Sequence, residues 1–319
     1  MIAAWLLGWA VLLAIAAPAL LRRALWPQHA PRLGIALWQA ASISVLVAMV
    51  LGGLALAVPV TVLSGGLADL LANCVMAIRE AYRTPAGAGA AGAGLVLATV
   101  VTGRVAFCVT RTLRRARRRR RAHAAGLALV ARRNDDLDAL VITHHGPAAY
   151  CLASPRPAIV VTTGALEVLH AEELTAVLAH EREHLRQRHH LTVAIAQALT
   201  NAFPRLPVLR HAADEIARLV EMAADDAAGS HTSRDRLATA LLALADASAP
   251  PAALAAGGPA AVARLQRLLR PAAPLSRARV AIVLAVAGLL IAAPTILAVG
   301  PAWAAGPMPQ CTMSMAPAN

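Results

Sequence analysis

The stretch AVLAHEREHLRQRHHL, residues 176–191, places His180 and His184 four residues apart, with Glu181 directly after the first histidine. On an α-helix, residues four apart lie on the same face, so both imidazoles are able to hold one metal ion. Zinc lowers the pKa of a bound water towards about 7, and the neighbouring carboxylate accepts its proton as hydroxide attacks a carbonyl. The chemistry that this pattern indicates is zinc-dependent hydrolysis of an amide.

A third metal ligand is expected from a second helix. Glu221 and Asp225 in EMAAD are again four apart, and Glu221 follows His184 by 37 residues. If the two helices pack together, Glu221 reaches the metal, and Asp225 orients an imidazole N–H, as zinc sites commonly require. We therefore predict His180, His184 and Glu221 as metal ligands, Glu181 as the catalytic base and Asp225 as a supporting carboxylate.

His190 competes with Glu221 as the third ligand, since it follows His184 by six residues. Sites of the form H-E-x-x-H-x-x-G-x-x-H use that spacing, but they have glycine where the helix breaks, and this chain has Gln187. In an unbroken helix, His190 points about 240° away from His184. We favour Glu221 on this geometry. Other polar residues nearby are expected at the surface or facing lipid headgroups: Glu183, Arg186, Arg188, His189, His190 and Asp226.

A helix face that is polar without binding metal is the alternative interpretation. The preceding LTAVLA indicates that this helix begins buried, where a His-Glu-His cluster without a ligand would be costly. His144 and His145 lie in a segment that resembles a strand, so we expect them in the core or in a substrate groove. His231 is expected to be a loop residue.

The composition indicates that much of the chain lies in lipid. Hydrophobic residues make up 58% of the 319 residues, and aromatic residues only 3%, whereas soluble proteins are usually about 45–50% apolar. A membrane-spanning helix needs about 20 mainly apolar residues. Four segments satisfy this requirement, at about 2–21, 33–58, 86–108 and 280–299. The third begins with AGAGAAGAG, whose small residues suit close helix packing.

Arginine sets the predicted orientation of these helices. The net charge is +13, and all 30 basic residues are arginine. Three arginine groups flank the membrane segments: Arg22, Arg23 and Arg32; the run from Arg111 to Arg121; and Arg270, Arg277 and Arg279. Because cytoplasmic flanks are enriched in basic residues, all three groups face the cytoplasm if the N-terminus is outside. The run beside a membrane segment indicates the lipid bilayer as a partner, and no recognition element for nucleic acid accompanies it.

This orientation divides the chain into four parts. Residues 1–110 form a membrane region with three transmembrane helices, 111–279 one cytoplasmic domain, 280–299 the fourth transmembrane helix, and 300–319 a short extracytoplasmic tail. Within the domain, 138–169 alternates short apolar runs with Gly and Pro, which predicts two or three strands. Helices are predicted at about 66–82, 171–191, 210–229, 234–247 and 261–270. The fold class is therefore α+β, in a multi-pass α-helical membrane protein.

Three stretches together resemble the BlaR/MecR-type membrane metallopeptidases, the signal-transducing proteases of beta-lactam sensing. They are AVLAHEREHLRQRHHL, EMAADDAA, and RLQRLL before the last membrane helix. The resemblance implies a gluzincin-like cytoplasmic domain with one Zn²⁺ on His180, His184 and Glu221, and Glu181 as the base. It also implies a protein or peptide substrate on the cytoplasmic side, such as a transcriptional repressor. The prenyl-protein endopeptidase and heat-shock membrane endopeptidase families share both motifs.

The beta-lactam sensors carry an extracellular penicillin-binding domain after the last helix, whereas this sequence continues for only about 20 residues there. We therefore do not expect beta-lactam sensing through such a domain. Three functions remain: an endopeptidase in signalling, quality control or prenyl-protein processing; a receptor with a structural metal; and a membrane protein without metal. A structural site closes its fourth position with a protein ligand, such as His190 or Cys151, so an intact Glu181 favours the endopeptidase.

Overall fold

The computed structural model describes residues 1–57, 84–248, 258–270 and 273–304, and most of them are helical. The helices are α1 (Ile2–Leu21), α2 (Trp26–His29), α3 (Pro31–Ala57), α4 (Pro85–Val130), α5 (Thr163–Val168), α6 (Ala171–Arg186), α7 (His189–Ala202), α8 (Pro207–His231), α9 (Arg234–Ser248), α10 (Gly258–Leu269) and α11 (Arg277–Ala304). The strands are β1 (Arg132–Asn134), β2 (Ala139–Ile142), β3 (Ala149–Leu152) and β4 (Ala158–Thr162). The predicted helix 66–82 and residues 305–319 of the predicted tail 300–319 lie outside the described residues, whereas α11 continues to Ala304.

The four strands form one small sheet in the order β1-β2-β4-β3. β2 pairs with β4 in parallel, and the other two pairings are antiparallel. β4 is central, and its residues Val160 and Val161 are completely buried, as expected for a β-branched strand covered on both faces. β3 lies at one edge. Three strands fall within the predicted segment 138–169, and β1 precedes it.

Helix α6 packs its apolar face against this sheet. Its residues Leu174, Val177 and Leu178 are buried in one cluster with Ile159 and Val161 of β4. Completely burying one such side chain contributes roughly 1.5–3 kcal/mol. The packing therefore fixes the rotation of α6 about its axis, and with it the direction in which the polar residues of the last two turns point.

Particular residues determine where α6 begins and where it ends. At the start, the Glu173 carboxylate accepts a hydrogen bond from the backbone N–H of His170 at 2.9 Å, which satisfies one of the free N–H groups of the first turn. At the end, Arg188 adopts the left-handed conformation, with φ 52° and ψ 38°. The predicted helix 171–191 is therefore wrong in its last turn, because α6 ends at Arg186 and α7 begins at His189.

In the part of the chain that the structure describes, four helices are long and apolar enough to cross a membrane: Ile2–Leu21, Pro31–Ala57, Pro85–Val130 and Arg277–Val299. Their number and positions agree with the four predicted segments, and they indicate a membrane protein. The helix that contains the third segment is longer than the predicted membrane span. α4 continues as one helix beyond Cys108 to Val130 and carries the whole arginine run.

Contacts divide the described residues into two units, and the first comprises residues 1–13, 43–57, 84–103 and 288–304. In this unit, α3 and α4 meet backbone to backbone at Gly53 and Gly94. A Cβ on Gly94 would lie only 2.3 Å from the carbonyl oxygen of Gly53. By contrast, a Cβ on Gly89 or Gly92 would meet nothing within 4 Å. Gly94 thus permits this close approach, whereas Gly89 and Gly92 are not required for it.

The second unit comprises 14–42 and 104–287, and contains the sheet and α5 to α10. At its border, Arg104 of α4 donates to the carbonyl of Ala202, the last residue of α7. Its guanidinium also lies over the ring of Phe203, at 5.9 Å from the ring centroid. Because the last carbonyls of a helix have no partner within the helix, this contact stabilises the end of α7.

Candidate metal centre

His180 and His184 of α6 lie beside Glu221 of α8. Each offers one ligand atom, and the three atoms lie within 4.8 Å of one another. The two Nε2 atoms are 3.0 Å apart, His180 Nε2 is 3.7 Å from Glu221 Oε2, and His184 Nε2 is 3.6 Å from Glu221 Oε1. Tetrahedral ligands about 2.1 Å from a zinc ion are about 3.4 Å apart. The three side chains therefore fit zinc in donor type and in spacing.

Asp225 supports the first histidine from one turn further along α8. Its Oδ1 lies 3.0 Å from Nδ1 of His180, although no aligned hydrogen bond from the described residues reaches that nitrogen. Asp225 is 1% exposed. Burial by itself would raise the pKa of its carboxyl, but hydrogen bonds from Arg264 and the neighbouring His180 imidazole lower the pKa to about 2. Asp225 is thus an ionised group beside His180.

Arg264 of α10 is the cation that balances these carboxylates. It donates two hydrogen bonds to Asp225, at 2.8 and 2.7 Å, and its Nη1 lies 3.1 Å from Glu221 Oε2. No sequence pattern distinguishes this arginine from the other twenty-nine, because its position depends on how α10 packs on α8. It is the main residue of the site that the sequence analysis missed.

His189, the first residue of α7, faces the second histidine. Its Nδ1 lies 3.0 Å from Nδ1 of His184, and the residue is 5% exposed. The expectation that His189 is a solvated helix end is therefore wrong. The left-handed residue Arg188 causes the difference, since it turns the chain so that His189 lies against α6. A non-glycine residue gives no sequence signal for such a break.

Glu181 lies between the metal-binding group and the edge strand β3. It is half-buried, and burial is the main cause that raises the pKa of its carboxyl. A carboxylate with a raised pKa is suited to accept a proton and to return it. Cys151 of β3 is the neighbour of Glu181. Burial raises the pKa of the Cys151 thiol to about 12, and the negative charge of Glu181 is the second cause of this increase. A protonated thiol is a poor metal ligand.

The charges of the site also favour a divalent cation. Glu181, Glu221 and Asp225, when ionised, carry three negative charges against one positive charge on Arg264. Burial disfavours the charged form of His180, but the nearby carboxylates of Asp225 and Glu221 raise the pKa of this imidazole to about 9. Carboxylates that stabilise a positive charge on His180 would also attract a metal ion.

Several polar residues lie elsewhere than expected. Glu183 is buried rather than on the surface, and it accepts hydrogen bonds from Arg186 and from Gln187 at 2.7 Å each. Asp226 is not free in solvent but forms ion pairs with Arg267 and Arg234.

The remaining histidines lie outside the metal-binding group. His144 and His145 are exposed, so the expectation of a core position is wrong. His231 is exposed at the last position of α8 rather than in a loop. His190 is half-buried, and it does not belong to the group that His180, His184 and Glu221 form among the described residues.

Residues 112–209 match the family model of peptidase family M48. The matched segment includes the histidine pair and ends before Glu221. No curated protein and no solved structure matches the chain. Together with the four apolar helices, the match supports a membrane-associated zinc metalloprotease of the M48 type. The narrower BlaR/MecR-type assignment is not confirmed.

Proposed function

We propose that the chain is an integral-membrane zinc endopeptidase that cleaves a protein or peptide on the cytoplasmic side. The observation that carries this proposal is the grouping of His180, His184 and Glu221 within 4.8 Å, beside a half-buried Glu181. Among the described residues, no fourth His, Cys, Asp or Glu joins the group. Three protein ligands with one open position are typical of catalytic zinc sites, whereas structural sites are closed.

The roles of the residues follow from their positions. When bound, zinc activates water and polarises a carbonyl. Glu181 would accept the proton of the attacking water and then deliver it to the leaving amine. Asp225 and Arg264 would hold His180 and Glu221 in orientation, since neighbours of this kind fix the direction of metal ligands.

The cytoplasmic placement is supported by the arginines. Residues Arg111–Arg121 continue directly from the apolar part of α4 on one helix, and Arg277 and Arg279 lie at the start of α11. Basic residues at the ends of membrane helices favour the cytoplasmic side. Both groups flank the segment with the metal-binding residues, so a cytoplasmic substrate fits this charge distribution.

The test is the zinc content and the proteolytic activity of the detergent-purified protein. We expect about one zinc per chain in the wild type and a strong loss in Glu221→Ala. Glu181→Gln should keep the zinc but lower cleavage of a generic unfolded substrate, such as casein, by about 10²–10⁴-fold, because the base is removed.

Wild-type protein without zinc would contradict the metal site itself. Full zinc content with unchanged cleavage in Glu181→Gln would contradict the catalytic role and leave a structural metal site. Glu167→Gln is a matched control, because Glu167 is a carboxylate of α5 outside the metal-binding group.

A further inference from the structure

We propose that His189 is a positioning residue that holds His184, the second metal ligand, through its Nδ1 atom. This inference rests on the proposed function, because it concerns how the same zinc site is built. The geometry that carries it is the 3.0 Å separation between Nδ1 of His189 and Nδ1 of His184.

The two ring nitrogens of His184 have separate tasks in this arrangement. Nε2 points towards Glu221 and His180, at 3.6 and 3.0 Å, so it is the atom that would bind the metal. Nδ1 then carries the proton and donates it to an acceptor. Histidine ligands commonly donate this second N–H to a carboxylate, a carbonyl or water. Here the acceptor is Nδ1 of another imidazole.

The chain brings His189 to this position by a specific break. In a continuous helix, a residue five positions after His184 would point about 140° away from it. The left-handed conformation at Arg188 interrupts α6 instead, and α7 starts with His189 buried against His184. The rings lie edge to face, with their centroids 4.9 Å apart. This orientation leaves the two Nδ1 atoms in direct contact.

The two metal-binding histidines are therefore supported in different ways. His180 has Asp225, which is ionised and paired with Arg264. His184 has His189, which brings no negative charge. We infer that His189 fixes the ring orientation of His184 and leaves the charge of the centre unchanged. Losing that contact should weaken zinc binding about 10–100-fold, the usual effect of removing such a neighbour.

The experiment compares His189→Leu with His189→Asn in the full-length, detergent-purified protein. The two replacements have nearly the same shape, but only asparagine keeps a hydrogen-bond acceptor. Zinc affinity is measured by competition with a chromophoric chelator, and His190→Ala serves as a neighbouring control. We expect the leucine variant to bind zinc about 10–100-fold more weakly, and asparagine and the control to remain within about threefold of the wild type.

Equal zinc affinity in the leucine variant and the wild type would overturn the positioning role. Equally weak zinc binding by the leucine and asparagine variants would also overturn it. The volume of the imidazole ring, rather than its hydrogen-bond acceptor, would then determine the zinc affinity. A wild-type protein that binds no zinc would instead contradict the proposed function. The melting temperature of each variant, measured after a chelator has removed the zinc, shows whether its fold is intact.

Discussion

At the scale of single residues, each histidine of the candidate metal centre has a neighbour at both ring nitrogens. The sequence allowed His180, His184, Glu221, Glu181 and Asp225 to be selected, because two pairs four residues apart on helices restrict the geometry strongly. His189 and Arg264 could not be selected. The position of His189 depends on the left-handed conformation of Arg188, which is not a glycine. The position of Arg264 depends on how α10 packs on α8.

Arg264→Leu is expected to destabilise the zinc-free protein, because Asp225 would remain buried and charged without its cation. Breaking a buried pair by removing one partner costs about 3–5 kcal/mol. Thermal unfolding in detergent with excess chelator should therefore show a clearly lower melting temperature. Adding Asp225→Asn should recover part of the loss, since a neutral amide does not need the cation. An unchanged melting temperature in the single variant would contradict this account.

At the scale of elements, the sequence predicted the types of most elements better than their ends. The apolar runs of 138–169 indicated the strands β2, β3 and β4, and the four membrane-length helices lie where hydropathy placed them. The error is at the end of α6, where Arg188 is left-handed but is not a glycine, so its residue type does not signal the break. α4 continues beyond the predicted membrane span, since arginine is a good helix former.

Arg188→Gly should stabilise the junction between α6 and α7. A non-glycine residue in the left-handed region costs about 1–2 kcal/mol, and glycine removes that cost. We expect a higher melting temperature than in Arg188→Ala, which also removes the side chain but keeps the Cβ. If alanine and glycine gave the same melting temperature, backbone strain at this position would be excluded.

Gly94→Val should weaken the packing of α3 and α4, because its Cβ would collide with the backbone of Gly53. Such overpacking typically costs about 1–3 kcal/mol. Gly92→Val is the matched control on the same helix, since no atom lies within 4 Å of its Cβ position. A lower melting temperature is expected for the first variant only. Equal melting temperatures would indicate that this close approach does not contribute to stability.

At the scale of the whole molecule, four apolar helices and three arginine groups predict an N-terminus outside and the metal centre in the cytoplasm. A cysteine-free background with either Ser64→Cys or Asp136→Cys tests this placement. An impermeant maleimide should label position 64 in intact cells, and position 136 only after lysis. The reverse labelling pattern would place the metal centre outside.

The order of the chain has a consequence for biosynthesis. The histidine pair on α6 precedes Glu221 on α8, and Arg264 on α10 comes just before the last membrane helix. A nascent polypeptide that has reached only α7 thus contains the whole H-E-x-x-H sequence but not the third ligand or the cation that holds it. The ribosome must complete most of the protein before a zinc ion finds all its donors. A newly made chain therefore lacks a complete set of zinc donors until α8 has been synthesised.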